Sequence, residues 1–432
     1  MIQTFRDGTL GLPYFMCSPT VLCAGAILCA SPARSSRAGE ALQGKQRTDG
    51  SVGKRLWRGS LLALFAVLVG TLAVYWSWVD AQARAAVVIS SVLEAPVLTP
   101  AADAVSGEPR FEDVPVAGNP TLVVRLAGEG PWPAVFVVNG TVPEGRKLPE
   151  VRRLAEGFAR AGYLVVVPDL PGLTEDEITP ETVHETVEVA RGVSERPDAE
   201  GGEVALVGVS TGATLAILAA ENPDLRERIS VVAGVAPYSD IRTVVNVATT
   251  GHYRDGEGFR RHEADPFLSY AIARSLVAAL PPGEDQRTLS GELEGVDRED
   301  PNPLAGLRSR QTEDLGAGAK SVVGLLVNED PERFDTLYGA LPEGVRADLR
   351  ELSPLAGAGR VRAPVEVATG PRDKYFPASE SYALGRIAPG RRVTVTRALD
   401  HAELDFSLGD APAFAAFDAF VVRALREARL EE

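Results

Sequence analysis

Runs of apolar and polar positions from residue 111 onward predict a chain in which strands alternate with helices. Short, continuous apolar runs such as 133–138 and 203–209 fit strands that are buried on both faces. Apolar residues at helical spacing over 149–161, closed by a glycine, predict an amphipathic helix. The predicted strands are residues 121–126, 133–138, 163–167, 203–209, 229–236, 364–369 and 392–397. The predicted helices are residues 149–161, 179–195, 211–221 and 411–429.

Strands that alternate with helices across short loops predict an α/β domain over 111–432, built on a mainly parallel sheet with helices on both faces. One interval breaks this rhythm, because residues 240–361 separate two predicted strands and are mostly helical in pattern. We expect a helical cap at about 241–361, inserted over one end of the sheet.

Residues 60–79 form an uncharged apolar run that is long enough for a helix to cross a bilayer. Lys54, Arg55 and Arg58 precede this run. The positive-inside rule then predicts a single-pass anchor with a cytoplasmic N-terminus and an extracytoplasmic body. Residues 80–110, rich in Ala, Val, Ser and Pro, are expected to be a linker between the anchor and the body.

Charge is divided unevenly along the chain, whose formal net charge is −15. Residues 1–58 contain eight Lys and Arg against three Asp and Glu, and the rest of the chain contains 36 against 56. The basic segment is either a cytoplasmic leader or the product of a start codon placed too far upstream. An acidic body argues against nucleic acid as a partner.

All three cysteines lie before residue 30, which excludes a cysteine nucleophile or a cysteine zinc site in the body.

A G-x-S-x-G sequence occupies residues 208–212, with Ser210 at its centre. It lies between a predicted buried strand and a predicted helix, which is the setting of a nucleophile elbow. The glycines allow a sharp turn that exposes the serine hydroxyl, and the following helix points its N-terminus at the same place. The pattern therefore makes Ser210 a candidate nucleophile.

A serine nucleophile needs a base, and the chain has four histidines. His401 follows the last predicted strand, where its loop can reach over Ser210, and is the favoured base. The other three, His184, His252 and His262, are expected to have structural or solvated roles, with His252 and His262 retained as candidates for substrate contact.

The acid that orients the histidine should follow another strand, and Asp373 follows the strand at 364–369. Asp240, just past the preceding strand, and Asp400, beside the histidine, remain alternatives.

The order Ser210, Asp373, His401 resembles that of the α/β-hydrolase family over roughly residues 111–432. The resemblance implies an oxyanion hole made by the Thr211 backbone N–H and a second N–H after the third strand, from Gly140 or Thr141. It also implies acyl transfer to water through an acyl-enzyme, without a cofactor or a metal.

We expect a small neutral or hydrophobic carboxylic ester as substrate, because the body is acidic and its cap is apolar. Tyr238 and Tyr375 are candidate pocket residues, although ordinary core packing explains them equally well. Two alternative functions stay open.

The first is a membrane-tethered scaffold on the same fold without turnover. The second is a different acyl-transfer enzyme, such as a peptidase or an acyltransferase.

Overall fold

The computed structural model describes residues 65, 67, 69–70, 75–93, 107–387, 392–404 and 410–428. The chain divides into two compact units, Met1–Ala66 and Val67–Glu432, and the fold below is that of the second. Most of the predicted anchor at 60–79, and the whole leader at 1–58, lie outside the described residues. Among the residues that are described, no helix combines the length and the apolarity that crossing a bilayer requires.

An eight-stranded sheet forms the centre of the domain, in the order β1-β2-β4-β3-β5-β6-β9-β10. The first two strands of this order pair antiparallel, β2 also pairs antiparallel with β4, and every other pairing is parallel. The predicted mainly parallel sheet is therefore confirmed. The strands are β1 Pro109–Val116, β2 Asn119–Leu126, β3 Trp132–Val138, β4 Leu164–Pro168, β5 Ala199–Val209, β6 Ile229–Val235, β9 Val365–Thr369 and β10 Arg392–Val395.

Helices cover both faces of this sheet, and each face has its own apolar core. On one face α4 and α5 pack against the strands, and on the other α1, α2 and α14 do so. The sheet helices are α1 Trp76–Val92, α2 Pro149–Arg160, α3 Pro171–Thr174, α4 Pro180–Ser194, α5 Thr211–Glu221, α13 Ala378–Ile387 and α14 Ala411–Glu427. Pro180 occupies the first turn of α4 after a Thr179 capping box, as its sequence predicts.

The interval between β6 and β9 is mostly helical and contains one small hairpin. Its elements are α6 Ile241–Thr250, β7 His252–Asp255, β8 Gly258–Arg261, α7 Pro266–Ala278, α8 Glu284–Glu294, α9 Ala305–Ser309, α10 Ala317–Leu326, α11 Phe334–Gly339 and α12 Glu343–Glu351. A second, two-stranded sheet after β10 pairs β11 Leu399–Asp400 with β12 Glu403–Leu404. Of these segments, α7 and the β11–β12 hairpin line the space next to the carboxyl end of β5.

Helix α1 occupies residues 76–92, part of which the sequence pattern predicts to be a linker at 80–110. Its residues Ala81, Ala85, Val88 and Ile89 are buried and follow one another at helical spacing. They pack against α2 and α14. The segment differs from a linker because this apolar stripe has a complementary surface on the domain. Small side chains let the helices approach closely.

Candidate active site

Ser210 lies at the sharp turn between β5 and α5. Its backbone has φ 55° and ψ −129°, a strained conformation that a residue other than glycine seldom adopts. The turn is held in place because the Ser210 N–H donates to the Val235 carbonyl of the neighbouring strand at 2.8 Å. This geometry puts the serine side chain beyond the carboxyl edge of the sheet.

The two glycines that flank Ser210 are required by close backbone contacts. A Cβ atom at Gly212 would overlap the carbonyl oxygens of Val138 and Asn139, and one at Gly208 would overlap the backbone of Ala213. The helix after the serine can therefore pack tightly against the loop that follows β3. The glycines of the sequence motif serve the steric purpose that the pattern predicts.

Asp373 and His401 form a buried pair in the same region. The Nδ1 atom of His401 lies 2.8 Å from Oδ2 and 2.9 Å from Oδ1 of Asp373. The Asp373 carboxylate also accepts the backbone N–H groups of Tyr375 and Phe376, at 2.8 and 2.9 Å. These bonds fix the position of the carboxylate. Because Nδ1 of His401 is bonded to Asp373, Nε2 is the ring nitrogen that can exchange a proton with another group.

Two loops bring this pair together from separate strand ends. The loop that carries Asp373 starts at Gly370, where a Cβ atom would overlap the carbonyl oxygen of Leu399. The loop that carries His401 turns back on itself in the β11–β12 hairpin, and His401 has a left-handed φ of 54°. The absence of a side chain at Gly370 thus allows the two loops to approach each other closely.

Among the described residues, the carboxylates of the two alternative acids form no hydrogen bond with the His401 ring. Asp240 caps helix α6, where its carboxylate accepts the Arg242 N–H at 2.9 Å and the Ser353 hydroxyl at 3.3 Å. Asp400 is exposed on β11. Of the three candidates, the structure brings Asp373 to the histidine.

The candidate oxyanion donors lie next to Ser210. A Cβ atom at Gly140 would be 3.5 Å from the Ser210 Cβ atom, so the loop after β3 faces the serine directly. Within the described part of the chain, the N–H groups of Gly140, Thr141 and Thr211 donate to no other protein group. Thr211 is the first residue of α5, where a free N–H and the helix dipole both favour a negative oxygen.

Arg298, which no sequence motif indicates, holds the same loop from the helical interval between β6 and β9. Its guanidinium donates to the Thr141 carbonyl at 3.0 Å and to Asp176 at 2.9 Å, and it lies 4.3 Å from the Phe267 ring centroid. Burial raises the pKa of Asp176, and the charge of Arg298 opposes that rise. Nothing in the charge-rich segment around Arg298 distinguishes it from a solvated loop residue, so only the tertiary structure reveals this contact.

The remaining histidines occupy other positions. His184 is exposed on α4, and His252 lies within 2.7 Å of the Thr250 carbonyl through Nδ1. Burial lowers the pKa of His262, against the opposing effects of Asp373 and a hydrogen bond with the Tyr375 backbone. His262 is thus close to Asp373 but does not line the cavity described below.

The two candidate pocket tyrosines differ in position. Tyr375 lines the cavity at Ser210, with its ring centroid 4.5 Å from that of His401. Burial raises the pKa of the Tyr375 phenol, and the nearby Asp265 carboxylate adds to this effect. Tyr238 is fully buried against Phe376 and lines a separate cavity of about 40 Å³.

Ser210 and His401 open into one cavity of about 530 Å³, within the size range of small-molecule sites. Helix α7 contributes Phe267, Leu268 and Ala271 to its lining. Three residues of α1 that no sequence motif indicates also contribute to it: Val88, Ile89 and Val92. The helical spacing of the apolar residues in α1 was the signal that could have identified this helix.

The family model for X-Pro dipeptidyl-peptidases of the S15 family matches residues 24–292, more than half of the chain. The chain belongs to this family. The match includes Ser210 and ends before Asp373 and His401. Together with the sheet topology, family membership identifies the protein as a serine hydrolase with an α/β-hydrolase fold.

Solved structures with a similar fold include several hydrolases. DcsB in complex with a substrate analogue is 16% identical, with 73% of this chain and 100% of that chain covered and a TM-score of 0.41. Proline iminopeptidase from Mycobacterium smegmatis is 18% identical, with 74% of this chain and 98% of that chain covered and a TM-score of 0.40. Dienelactone hydrolase from Anabaena variabilis is 14% identical, with 73% of this chain and 97% of that chain covered and a TM-score of 0.37. A search of curated proteins finds no match.

Proposed function

We propose that this serine hydrolase cleaves carboxylic esters that have an apolar acyl group, with Ser210 as nucleophile and His401 as base. The observation that carries the proposal is the buried Asp373–His401 pair, 2.8 Å apart, whose histidine shares one cavity with Ser210. That pairing leaves Nε2 free to take a proton from a serine hydroxyl.

In the proposed reaction the Ser210 oxygen attacks the ester carbonyl carbon while its proton passes to Nε2 of His401. Asp373 stabilises the imidazolium that forms, and the N–H groups of Thr211 and of Gly140 or Thr141 bind the oxyanion. The imidazolium then gives its proton to the leaving alcohol, and the acyl group remains on Ser210. Water then gives a proton to His401 and attacks the acyl-enzyme, and His401 returns that proton to the Ser210 oxygen as the carboxylic acid leaves.

A peptidase is the second candidate, because the matching family model is that of an X-Pro dipeptidyl-peptidase. A dipeptidyl-peptidase has to bind the ammonium group of its substrate, and a buried ammonium needs a carboxylate partner. The carboxylates among the described lining residues are Glu150 and Glu403. The Glu150 side chain is 61% exposed and pairs with Arg153, and the Glu403 side chain is 76% exposed and pairs with Lys374. Neither is a buried carboxylate that could hold an ammonium group, which favours an ester substrate over a peptide.

A fluorophosphonate probe tests the role of Ser210 in the full chain. We expect peptide mass spectrometry to find one covalent adduct, on Ser210, in the wild-type protein. His401→Ala should lose the adduct because the serine is no longer activated. The control Ser321→Ala, a partly buried serine on α10, should label as the wild type does. A folded protein that never labels would contradict the proposal and favour the scaffold alternative.

A parallel assay of p-nitrophenyl esters and Xaa-Pro p-nitroanilides tests whether the enzyme prefers esters or peptides. We expect hydrolysis of the esters and little or no release of p-nitroaniline. Efficient cleavage of the anilides with poor cleavage of the esters would replace the esterase proposal with the peptidase.

A further inference from the structure

The cavity at Ser210 continues away from the catalytic loops along one face of the central sheet. Its lining includes Ala205, Val207 and Val209 of β5, which are alternate residues and therefore lie on the same face. At about 3.3 Å per strand residue, these three positions span about 13 Å. Alternate residues of β6, Val231, Ala233 and Val235, line it in parallel. We call this part the sheet-face channel.

Three helices form the outer wall of the sheet-face channel. Phe158 of α2 and Phe420 and Ala424 of α14 line its sides, and Val88 and Ile89 of α1 line it between them. Apart from Glu150 at the start of α2, every described lining residue away from the catalytic loops is apolar. The other polar side chains of the described lining lie where the channel meets Ser210 and His401.

Helix α1 is held over the channel by specific contacts with both neighbouring helices. The Gln82 amide donates to the Asp418 carboxylate of α14 at 3.0 Å, and the Arg426 guanidinium lies 4.5 Å from the Trp78 ring centroid. On the other side, the Arg84 guanidinium donates to the Ala161 carbonyl just after α2. These contacts keep α1 in place across the gap between α2 and α14.

A space with such apolar walls is unusual inside a protein. Interiors are packed as densely as organic crystals, and voids larger than a water molecule are few. Water is a poor occupant, since it needs two to four polar partners that the channel walls lack. The space suits a flexible apolar chain, and its polar end suits the carbonyl of an ester.

We propose that the sheet-face channel binds the acyl chain of a fatty acyl ester, with the ester carbonyl at Ser210 and the hydrocarbon tail beneath α1. This inference rests on the proposed ester hydrolysis and names its substrate class. Each methylene buried in such a site should strengthen binding about fourfold. The enzyme should therefore prefer long acyl chains to short ones.

Filling the channel tests this proposal in the full-length protein. Ala424→Phe places a ring in the channel, whereas the control Ala415→Phe adds the same ring on the exposed side of the same helix. The readout is the ratio of kcat/KM for the dodecanoyl ester to that for the acetyl ester. Damage to the fold or to the triad lowers both rates and leaves the ratio unchanged, so the ratio reports on the channel alone.

We expect a ratio well above tenfold in the wild type and in Ala415→Phe, and a loss of at least tenfold in this ratio in Ala424→Phe, mostly through KM. A wild type that prefers the acetyl ester would overturn the proposal. An Ala424→Phe ratio equal to that of the control would do so as well.

A binding measurement separates failure of the channel from failure of the esterase. Ser210→Ala protein, which cannot turn over, is titrated with a fluorescent dodecanoic acid analogue. Saturable binding that Ala424→Phe weakens at least tenfold, in the Ser210→Ala background, supports the channel even if no ester is hydrolysed. Absence of binding, or equal binding by both variants, refutes the channel and leaves the role of Ser210 to the fluorophosphonate test.

Discussion

At the scale of residues, the site depends on a few side chains that backbone strain and close contacts hold in position. Ser210 and His401 both have positive φ angles, of 55° and 54°, that residues with a side chain rarely adopt. Such strain persists only where surrounding bonds over-determine it. Here the Ser210 N–H bonds to Val235, and the His401 ring bonds to Asp373.

Replacing Asp373 by Asn should reduce kcat for ester hydrolysis by on the order of 1,000- to 10,000-fold. The amide would hold the imidazole in the wrong tautomer and would not stabilise the imidazolium. Asp240→Asn is the matched control, because asparagine caps a helix as well as aspartate and Asp240 does not contact His401. Steady-state kinetics with both variants decide the point. A large loss in Asp240→Asn alone would show that the acid is assigned to the wrong residue.

At the scale of elements, α1 completes a face of the domain that α2 and α14 leave open. Its close approach to α2 depends on Gly157, where a Cβ atom would lie 2.9 Å from the Ser91 Cβ atom and 3.2 Å from the Val88 Cα atom. The helix therefore belongs to the folded domain, and the wall of the cavity depends on its position.

Gly157→Leu should lower the free energy of unfolding by about 2 kcal/mol, because the added side chain must displace α1. Gly344→Leu is the control, since that glycine also lies in a helix and has open space around its Cβ position. Leucine has a higher helix propensity than glycine, so the control should be as stable as the wild type or slightly more stable. Urea denaturation measures both. Equal stabilities would mean that α1 does not pack tightly on α2.

At the scale of the whole molecule, an acidic hydrolase body follows a basic segment and an uncharged apolar run. We propose, from the basic residues 1–58 and the uncharged apolar run at 60–79, that the N-terminal part attaches the protein to a membrane, with the hydrolase on the outer side. Helix α1 packs on α2 and α14, so the folded domain extends upstream of residue 111 and includes Trp76–Val92. A shorter protein that begins at residue 100 would lack α1 and expose the apolar sides of α2 and α14.

Removing residues 1–74 should release the protein from membranes while its fold is retained. We expect the full chain to sediment with membranes after a carbonate wash, because carbonate strips proteins bound only by charge. The shortened protein, which keeps α1, should stay in the supernatant and label with the fluorophosphonate. A full chain that is found in the supernatant would contradict the anchor.

Much of the fold was predictable because strands and helices leave local patterns in the sequence. Residues 211–221 were predicted as a helix with the bounds that the structure has, and 133–138 as a strand that begins one residue earlier at Trp132. Strand β1 was missed because it is an edge strand with mostly exposed residues and an internal proline, which weakens the apolar pattern. Helix α1 is not predicted, because a short apolar stripe among alanines is also typical of a linker.

The sequence by itself determined the type of chain: strands alternating with helices, a serine in a glycine-flanked turn, and a histidine after the last strand. These features depend on neighbours within a few residues of one another, and such neighbours leave a readable spacing. Only the tertiary structure decided which of three aspartates meets His401, because that pairing joins loops 28 residues apart. It alone also revealed the sheet-face channel, whose wall residues come from separate strands and helices and each resemble an ordinary core residue until the fold places them around one space.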